Sequence, residues 1–479
     1  VGESLMRACW GPFIALLNDR EHDRLIVTRD AAGGRPIFLA ARRQFSAVFT
    51  HAEDWLLCEP DACADHHYIS AFVAQSRIVT GATGLEGVRE ILPGERWSSG
   101  RDQSAIDVIW RPATPALSHA SFKESAEAVR GAVFECAGAW AALGRPITHR
   151  LSGGVDSAVV LAGLVRAGAN EIVCVNERPI GFAEGDEWEA AQETARTQGV
   201  RIIAAPASPD RVDYRQLLEA EFHAKPSLAD LSYAEPSLME TLAQLSGAIV
   251  TSGQGGDQIF QRGPAPYAGA DALWDGVSSS AFMRIAADVA RQARTHVWDV
   301  FAQALLLGLL RRRFDALAAQ SFDTPLATEA GRARANRYRQ NHSWMEDAAK
   351  TSPARAMRIT RLIDLSFYAQ PTCLAARYVT APVLASKPVL ECVLSIPPYV
   401  MIEGGVDRSL ERAAFAESIP APLRQRARKG DATQYHTKVL ERNLPFVREL
   451  SLEGELARHE LLDRDSLNRA LAGVWITDG

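Results

Sequence analysis

Long apolar runs are missing from this chain of 479 residues. The best candidate, residues 302–310, is cut short by Arg311-Arg312-Arg313, whereas a membrane-spanning helix needs about 20 apolar residues. No signal peptide is visible either. The first absence argues against a membrane-spanning helix, and together the two make a cytoplasmic protein with no membrane partner our expectation.

Paired cysteines are also missing. The seven cysteines are scattered and include no Cys-x-x-Cys pair: Cys9, Cys58, Cys63, Cys136, Cys174, Cys373 and Cys392. This spacing argues against a disulfide framework and a cysteine metal site, and indicates reduced, packed thiols. The net charge of −6 provides no basic field for nucleic acid. We therefore expect no nucleic-acid partner and interpret the three arginines as a solvated helix end.

The composition, with 47% hydrophobic and 23% charged residues, is typical of a protein that buries a large hydrophobic core. A chain of 479 residues is long enough for more than one domain. The pattern changes at residues 110–115, a linker punctuated by proline. Before it, short strands are predicted at residues 13–17, 24–28, 36–39 and 47–50. After it, helices at residues 122–143, 188–198 and 237–245 alternate with strands at residues 147–151, 172–176, 201–204 and 248–251. This alternation predicts an α/β fold with a parallel, doubly wound sheet, followed from residue 281 by a mostly helical region.

The most informative segment is Leu151-Ser152-Gly153-Gly154-Val155-Asp156-Ser157, which joins a predicted strand to an apolar helix. Its two glycines let backbone N–H groups close around an anion at the positive N-terminus of that helix. No Gly-Lys-Ser/Thr follows, so the loop is not of the Walker type. An acidic side chain beside phosphates is explained if Asp156 binds Mg²⁺. The segment therefore predicts a phosphate-binding loop.

Two motifs carry a resemblance to a known family. Residues 152–157 resemble the pyrophosphate loop of ATP-pyrophosphatases, which adenylate a carboxylate and release pyrophosphate. Residues 249–260, which include Ser252-Gly253-Gln254-Gly255-Gly256-Asp257, resemble the second loop of the asparagine synthetase family. The separation of the two loops suits successive crossover units of one parallel sheet, with both loops at the carboxyl edge of the strands.

This resemblance implies ATP and Mg²⁺ as cofactors, with Asp156 and Asp257 as the metal ligands. Contacts to the nucleotide are expected from one group of residues, with Val175 at the adenine edge: Leu151, Ser152, Gly153, Gly154, Asp156, Ser157, Val175, Ser252 and Gly253.

Residues 1–112 resemble the later part of the β-rich, Ntn-type glutaminase domain of asparagine synthetases. The similarity lies in Gly11-Pro12-Phe13, in residues 29–37 and in Leu92-Pro93-Gly94. Active glutaminases of this class begin with a cysteine nucleophile, but this chain begins with Val1-Gly2-Glu3. We therefore expect a partial domain that makes no ammonia from glutamine in this chain. Residues 113–479 are expected to form the synthetase domain, an ATP-pyrophosphatase sheet with a helical C-terminal region.

The C-terminal third follows the order of synthetase motifs in the same family. Lys429 stands where these enzymes keep a lysine that reaches the acyl-adenylate, and a fixed ammonium there stabilises negative charge in the amide-forming step. Gln254 replaces the acidic residue of asparagine synthetases and the tyrosine of β-lactam synthetases. An amide orients a substrate but cannot deprotonate an amine.

Residues 429–431 followed by Tyr435 resemble the ending of lasso peptide cyclases, a branch with a cysteine-free glutaminase-like domain. The resemblance implies a macrolactam-forming ligase that joins an internal Asp or Glu to the N-terminal amine of a core peptide. A precursor peptide, a leader peptidase and a leader-recognition protein are the implied partners. Two alternatives stay open. One is a small-molecule ligase similar to asparagine or β-lactam synthetases, and the other is a non-catalytic ATP-binding interaction protein.

Overall fold

The computed structural model describes most of the chain. The described residues are 2–42, 45–76, 78–100, 104–113, 120–226, 236–260, 266–312, 314–316, 324–367, 373–426 and 430–472. Within them, no helix is long and apolar enough to cross a membrane.

The N-terminal region holds two antiparallel sheets. Its strands are β1 (Ile14–Asp19), β2 (Arg24–Arg29), β3 (Phe38–Ala41), β4 (Ser46–Phe49), β5 (Val88–Glu90), β6 (Glu95–Ser99) and β7 (Ser104–Val108). One sheet has the order β1-β2-β6-β7 and the other β4-β3-β5. Its helices are α1 (Gly2–Ala8), α2 (Ala52–Cys58) and α3 (His66–Ala74). Val27 and Trp97 from the first sheet share a buried cluster with Leu39 from the second, so the two sheets pack through one core.

A five-stranded parallel sheet follows. Its strands are β8 (Ile147–Arg150), β9 (Ile172–Pro179), β10 (Arg201–Ala207), β11 (Ile249–Ser252) and β12 (Val379–Ala381), in the order β10-β9-β8-β11-β12. The connecting helices are α4 (Phe122–Ala141), α5 (Val155–Arg166), α6 (Trp188–Thr197), α7 (Ser237–Ala243) and α8 (Gly256–Ile259). This sheet confirms the predicted α/β class and the alternation of helices and strands.

The structure corrects the expectation that the two loops follow successive crossover units. Strands β9 and β10 lie between β8 and β11 in sequence, yet β8 pairs directly with β11. The sheet grows from β8 through β9 to β10 on one side, and from β11 to β12 on the other. The direction of winding therefore reverses between β8 and β11, the place where open parallel sheets bind ligands.

The remaining described helices follow α8 in the chain. They are α9 (Ala268–Trp274), α10 (Ser279–Ala293), α11 (Val297–Gln303), α12 (Glu329–Gln340), α13 (Met345–Lys350), α14 (Pro353–Phe367), α15 (Cys373–Arg377), α16 (Lys387–Ser395), α17 (Ser409–Ala414), α18 (Ala421–Gln425), α19 (Thr433–Glu453), α20 (Glu455–Arg458) and α21 (Arg464–Leu471). Short 3-10 turns lie at Pro209–Arg211, Tyr214–Glu219 and Val400–Gly405, and a π-helical turn at Ala304–Leu309. The predicted helical character beyond residue 281 is confirmed, except that β12 adds an edge strand.

Helix α4 shows how the sequence sets an element that supports the sheet. Ser121 accepts a hydrogen bond from the Glu124 N–H, and the Glu124 carboxylate accepts one from the Ser121 N–H. This reciprocal cap satisfies the first free N–H groups of the helix. Val129 and Val133 of α4 are then fully buried in the main core, beside Val159 of α5. The cap and the apolar face together hold α5, and with it the loop that precedes α5.

Candidate functional site

The loop after β8 is folded by its own hydroxyl groups. The Ser157 hydroxyl donates to the Gly154 carbonyl at 3.1 Å and lies 3.2 Å from the Ser152 hydroxyl, which accepts from the Gly154 N–H at 3.3 Å. Gly153 has a φ of +83°, a backbone conformation that side chains rarely adopt. The turn delivers Asp156 to the first turn of α5. The serines and the glycine therefore shape the predicted phosphate loop in this structure.

The loop after β11 has a similar construction. The Gln254 N–H donates to the Ser252 hydroxyl at 3.2 Å, and the Gln254 side chain is exposed. Gly255 has a φ of +97° and begins α8, whose first turn carries Asp257. Both acidic residues thus sit at the positive end of a helix.

The two loops are in direct contact. A Cβ atom on Gly253 would lie 2.6 Å from the Ser157 nitrogen and 2.9 Å from the Asp156 Cβ, and one on Gly256 would overlap the Asp156 carboxyl group. Both positions therefore need glycine for the close approach of the backbones.

His149 ties the strands beneath the loops. It is fully buried in β8, with Nδ1 2.8 Å from the Thr251 hydroxyl of β11 and Nε2 2.9 Å from the Ser157 carbonyl of α5. Nε2 must carry the proton to donate to the carbonyl, so Nδ1 accepts from Thr251. Burial lowers the pKa of His149 to about 4, so the ring is neutral at pH 7.

Arg408 joins the two aspartates. Its Nη1 lies 3.0 Å from Asp156 Oδ1, and its Nη2 donates to Asp257 Oδ1. The side chain of Arg408 is only 5% exposed. Burial opposes its charge, but the carboxylates of Asp156 and Asp257 help to outweigh that effect, and the pKa of Arg408 is raised. A charged guanidinium therefore neutralises the acidic pair.

Glu411, one turn further along α17, is fully buried beside Asp156. Burial and the Asp156 carboxylate raise the pKa of Glu411 far above its usual range, although Arg408 acts in the opposite direction. The raised pKa reflects the cost of a second buried negative charge beside Asp156. Asp156 therefore lies between a carboxyl group that resists ionisation and the guanidinium of Arg408.

The acidic pair fits a phosphate-bound Mg²⁺ in its donor chemistry, since Mg²⁺ takes one or two carboxylates together with phosphate oxygens. The described residues contain no cluster of three or more His, Cys, Asp or Glu that could hold a metal by itself. Two carboxylates can therefore hold the ion when a phosphate supplies further oxygens. Arg408, paired with both, provides their positive counter-charge here.

The strand that contains Val175 is longer than predicted, and the place of Val175 at the adenine edge stays a prediction. The strand predicted at residues 172–176 extends to Pro179, so Val175 lies within β9 and not at its end. Its side chain is buried beside Val250, and its carbonyl accepts the Leu151 N–H at 2.9 Å. The strand extends because Glu177 and Arg178 pair in register with β10, which the polar character of these residues conceals.

Lys429 lies outside the described residues, and its predicted role stays a prediction. Arg408, Glu411 and His149 were missed as site residues by the sequence analysis. The one available signal was the charged segment Asp407-Arg408 followed by Glu411-Arg412 at helical spacing. Nothing local in the sequence indicates that this segment reaches Asp156.

The comparisons with known proteins address the family directly. A direct comparison with curated proteins finds no match. The family model described as asparagine synthase matches residues 140–475, a range that includes both loops, Arg408 and position 429. Because this match spans well over half of the chain, the protein belongs to the asparagine synthase family, which indicates an ATP-dependent amide ligase.

Proposed function

We propose that the protein is a lasso peptide cyclase that uses ATP to join an internal Asp or Glu side chain of a core peptide to the peptide's N-terminal amine. The observation that carries nucleotide activation is the contact between two carboxylate-bearing loops at the point where the sheet reverses its winding. The cyclase branch is supported by Gln254 and by residues 429–431 followed by Tyr435.

In the first step, the peptide carboxylate attacks the α-phosphorus of ATP. The bond from that phosphorus to pyrophosphate breaks, which leaves an acyl-adenylate. Leu151, Ser152, Gly153, Gly154 and Ser157 of the first loop and Ser252 and Gly253 of the second are proposed to bind the nucleotide. Asp156 and Asp257 are proposed to hold Mg²⁺. When bound, Mg²⁺ neutralises the β- and γ-phosphates, without which pyrophosphate is a poor leaving group.

In the second step, the N-terminal amine attacks the acyl carbon, the bond to AMP breaks, and the amine releases a proton to water. Lys429 is proposed to stabilise the negative charge on the carbonyl oxygen and the α-phosphate. The exposed Gln254 side chain is assigned to orient the amine, because an amide cannot take its proton. The products are a macrolactam lighter than the peptide by one water, AMP and pyrophosphate.

The remaining parts of the proposal concern the N-terminal region and partners. We assign the antiparallel sheets of residues 1–112 to a glutaminase-like remnant of Ntn type, and the parallel sheet to the ATP-pyrophosphatase class. A precursor peptide, a leader peptidase and a leader-recognition protein are the partners that a cyclase of this kind requires.

The test uses a leader-free peptide with a free N-terminus and an internal Asp or Glu. With ATP and Mg²⁺, the wild-type protein is expected to give the dehydrated product, AMP and pyrophosphate. Lys429→Met keeps the bulk of the side-chain stem but removes the charge, so we expect at least about 10²-fold less product with ATP binding retained. Mass spectrometry and nucleotide titration measure the two effects.

Lys438→Met is the matched control, because Lys438 is exposed and pairs only with a neighbouring carboxylate in its described contacts. If Lys429→Met cyclises the peptide as fast as the wild type, Lys429 does not stabilise the charge in the second step. If the wild type converts free aspartate and ammonia to asparagine and ignores peptides, the cyclase proposal is wrong and the small-molecule ligase is correct.

A further inference from the structure

Glu187, the residue that precedes α6, binds both flanks of the segment that contains Lys429. Its Oε1 accepts a hydrogen bond from the Gly430 N–H at 2.8 Å and lies 2.9 Å from Arg426 Nη1. The Glu187 side chain is only 8% exposed and that of Arg426 is 34% exposed, so the carboxylate side of these charge-assisted contacts is buried. The described residues on either side of positions 427–429 thus share one carboxylate oxygen.

The same residue packs against the first phosphate loop. A Cβ atom on Gly153 would lie 2.8 Å from both the Cβ and the carbonyl oxygen of Glu187. A Cβ atom on Gly430 would lie 2.8 Å from the Glu187 Cγ. Glycines on both sides therefore let Glu187 sit between the loop and the C-terminal segment without a gap.

Adjacent contacts reinforce this arrangement. The Asp431 N–H donates to the Glu184 carbonyl at 3.1 Å, and the Gln434 amide donates to the Glu184 carboxylate at 3.1 Å. The segment from Gly430 to the start of α19 is consequently aligned along residues 184–187. The Glu184 side chain is exposed, however, and does not contact the phosphate loop in the described contacts.

We infer that Glu187 is a positioning residue, which holds Arg426 and Gly430, the described residues on either side of positions 427–429, against the loop at Gly153. The inference rests on the proposed role of Lys429. An ammonium stabilises developing charge only when it is held at the correct distance, since misplacement by about 1 Å can cost 10²-fold in rate. Glu187 touches neither nucleotide nor peptide in this role and acts through the residues that it holds.

The test compares Glu187→Ala with Glu184→Ala and Glu187→Gln. Glu187→Ala keeps the Cβ atom and the carbonyl that contact Gly153, so the KM for ATP should stay within about twofold. The kcat of amide formation should fall by about 10²-fold. Glu187→Gln keeps an acceptor oxygen and should recover most of the rate. Glu184→Ala keeps the backbone carbonyl that binds Asp431 and should resemble the wild type.

A second measurement is independent of the reaction. Hydrogen exchange at the Gly430 amide should accelerate by at least about tenfold in Glu187→Ala and stay unchanged in Glu184→Ala. Unchanged exchange, or equal loss of kcat in the two alanine variants, would overturn the inference. If the wild type makes asparagine instead of a macrolactam, the cyclase proposal fails. The role of Glu187 is then tested by the kcat of asparagine formation and by hydrogen exchange at the Gly430 amide in the same variants.

Discussion

At the scale of single residues, the site depends on two carboxylates that share one guanidinium. Arg408 contacts Asp156 and Asp257, and all three lie at the edge where β8 and β11 end. The same two carboxylates are the ones that we assign to Mg²⁺. Arg408 therefore holds the two negatively charged side chains close together without a bound phosphate.

We predict that Asp156→Ala and Asp257→Ala each abolish substrate-dependent pyrophosphate release. Each change removes one of the two proposed metal ligands, so only one carboxylate is left to hold the ion against the phosphates. Pyrophosphate release measures the effect, and circular dichroism should show a retained fold. Asp210→Ala is the control, because Asp210 pairs with Arg442 on the surface. Near-normal turnover in either variant would refute the assignment.

At the scale of elements, His149 connects β8, β11 and α5 while it is neutral. Its folded pKa of about 4 lies below the ordinary value of 6.5. Between these values the unfolded chain binds more protons than the folded one, so stability falls as the pH drops from about 6.5 towards 4. The strand pair that carries both loops is therefore sensitive to acid.

We predict that wild type loses about 2 kcal/mol more unfolding free energy than His149→Gln between pH 7 and pH 5. Glutamine keeps a donor for the Ser157 carbonyl but does not titrate. Urea denaturation at the two pH values measures the difference. Burial raises the pKa values of Asp30 and Asp271 to about 6. These two groups therefore make the folded protein more stable as the pH falls, but they do so equally in the wild type and in His149→Gln. Equal pH dependence of the two proteins would contradict the prediction.

Elements with a strong local pattern were predictable from the sequence, and those that depend on distant partners were not. The strand, loop and helix around Asp156 follow from apolar periodicity and glycine position. Strand β12 has three residues and forms only by pairing with β11. Arg408 has a φ of +55°, and an arginine in the sequence does not predict this left-handed backbone conformation. Local preference therefore identified the loops, whereas tertiary packing determined what neutralises them.

At the scale of the whole molecule, a buried ion cluster joins the N-terminal sheets to the region of the parallel sheet. Glu90 of β5 accepts from Arg29 of β2 at 2.6 Å and from Lys225, which follows β10 in sequence. The Lys225 side chain is 4% exposed and that of Glu90 is 1% exposed. Burial raises the pKa of Glu90, but Lys225 and Arg29 outweigh it and lower that pKa overall.

We predict that Lys225→Met destabilises the protein by about 3–5 kcal/mol, because it removes one of the two cations that compensate a buried carboxylate. Thermal and urea unfolding measure the loss. Lys438→Met, at an exposed pair, should have little effect. A loss as small as that of the control would show that Arg29 alone compensates Glu90.

The sequence distance spanned by Arg408 has a consequence for synthesis of the protein. Arg408 lies 151 residues beyond Asp257 and further still beyond Asp156. On the ribosome, both acidic loops emerge long before the arginine that neutralises them. Strand β12, which pairs with β11, is also synthesised long after β11. Closing such long loops is slow because their entropy is lost before the contacts form. The ion pairs that join the two acidic loops to Arg408 are therefore among the last contacts of the nascent chain to form.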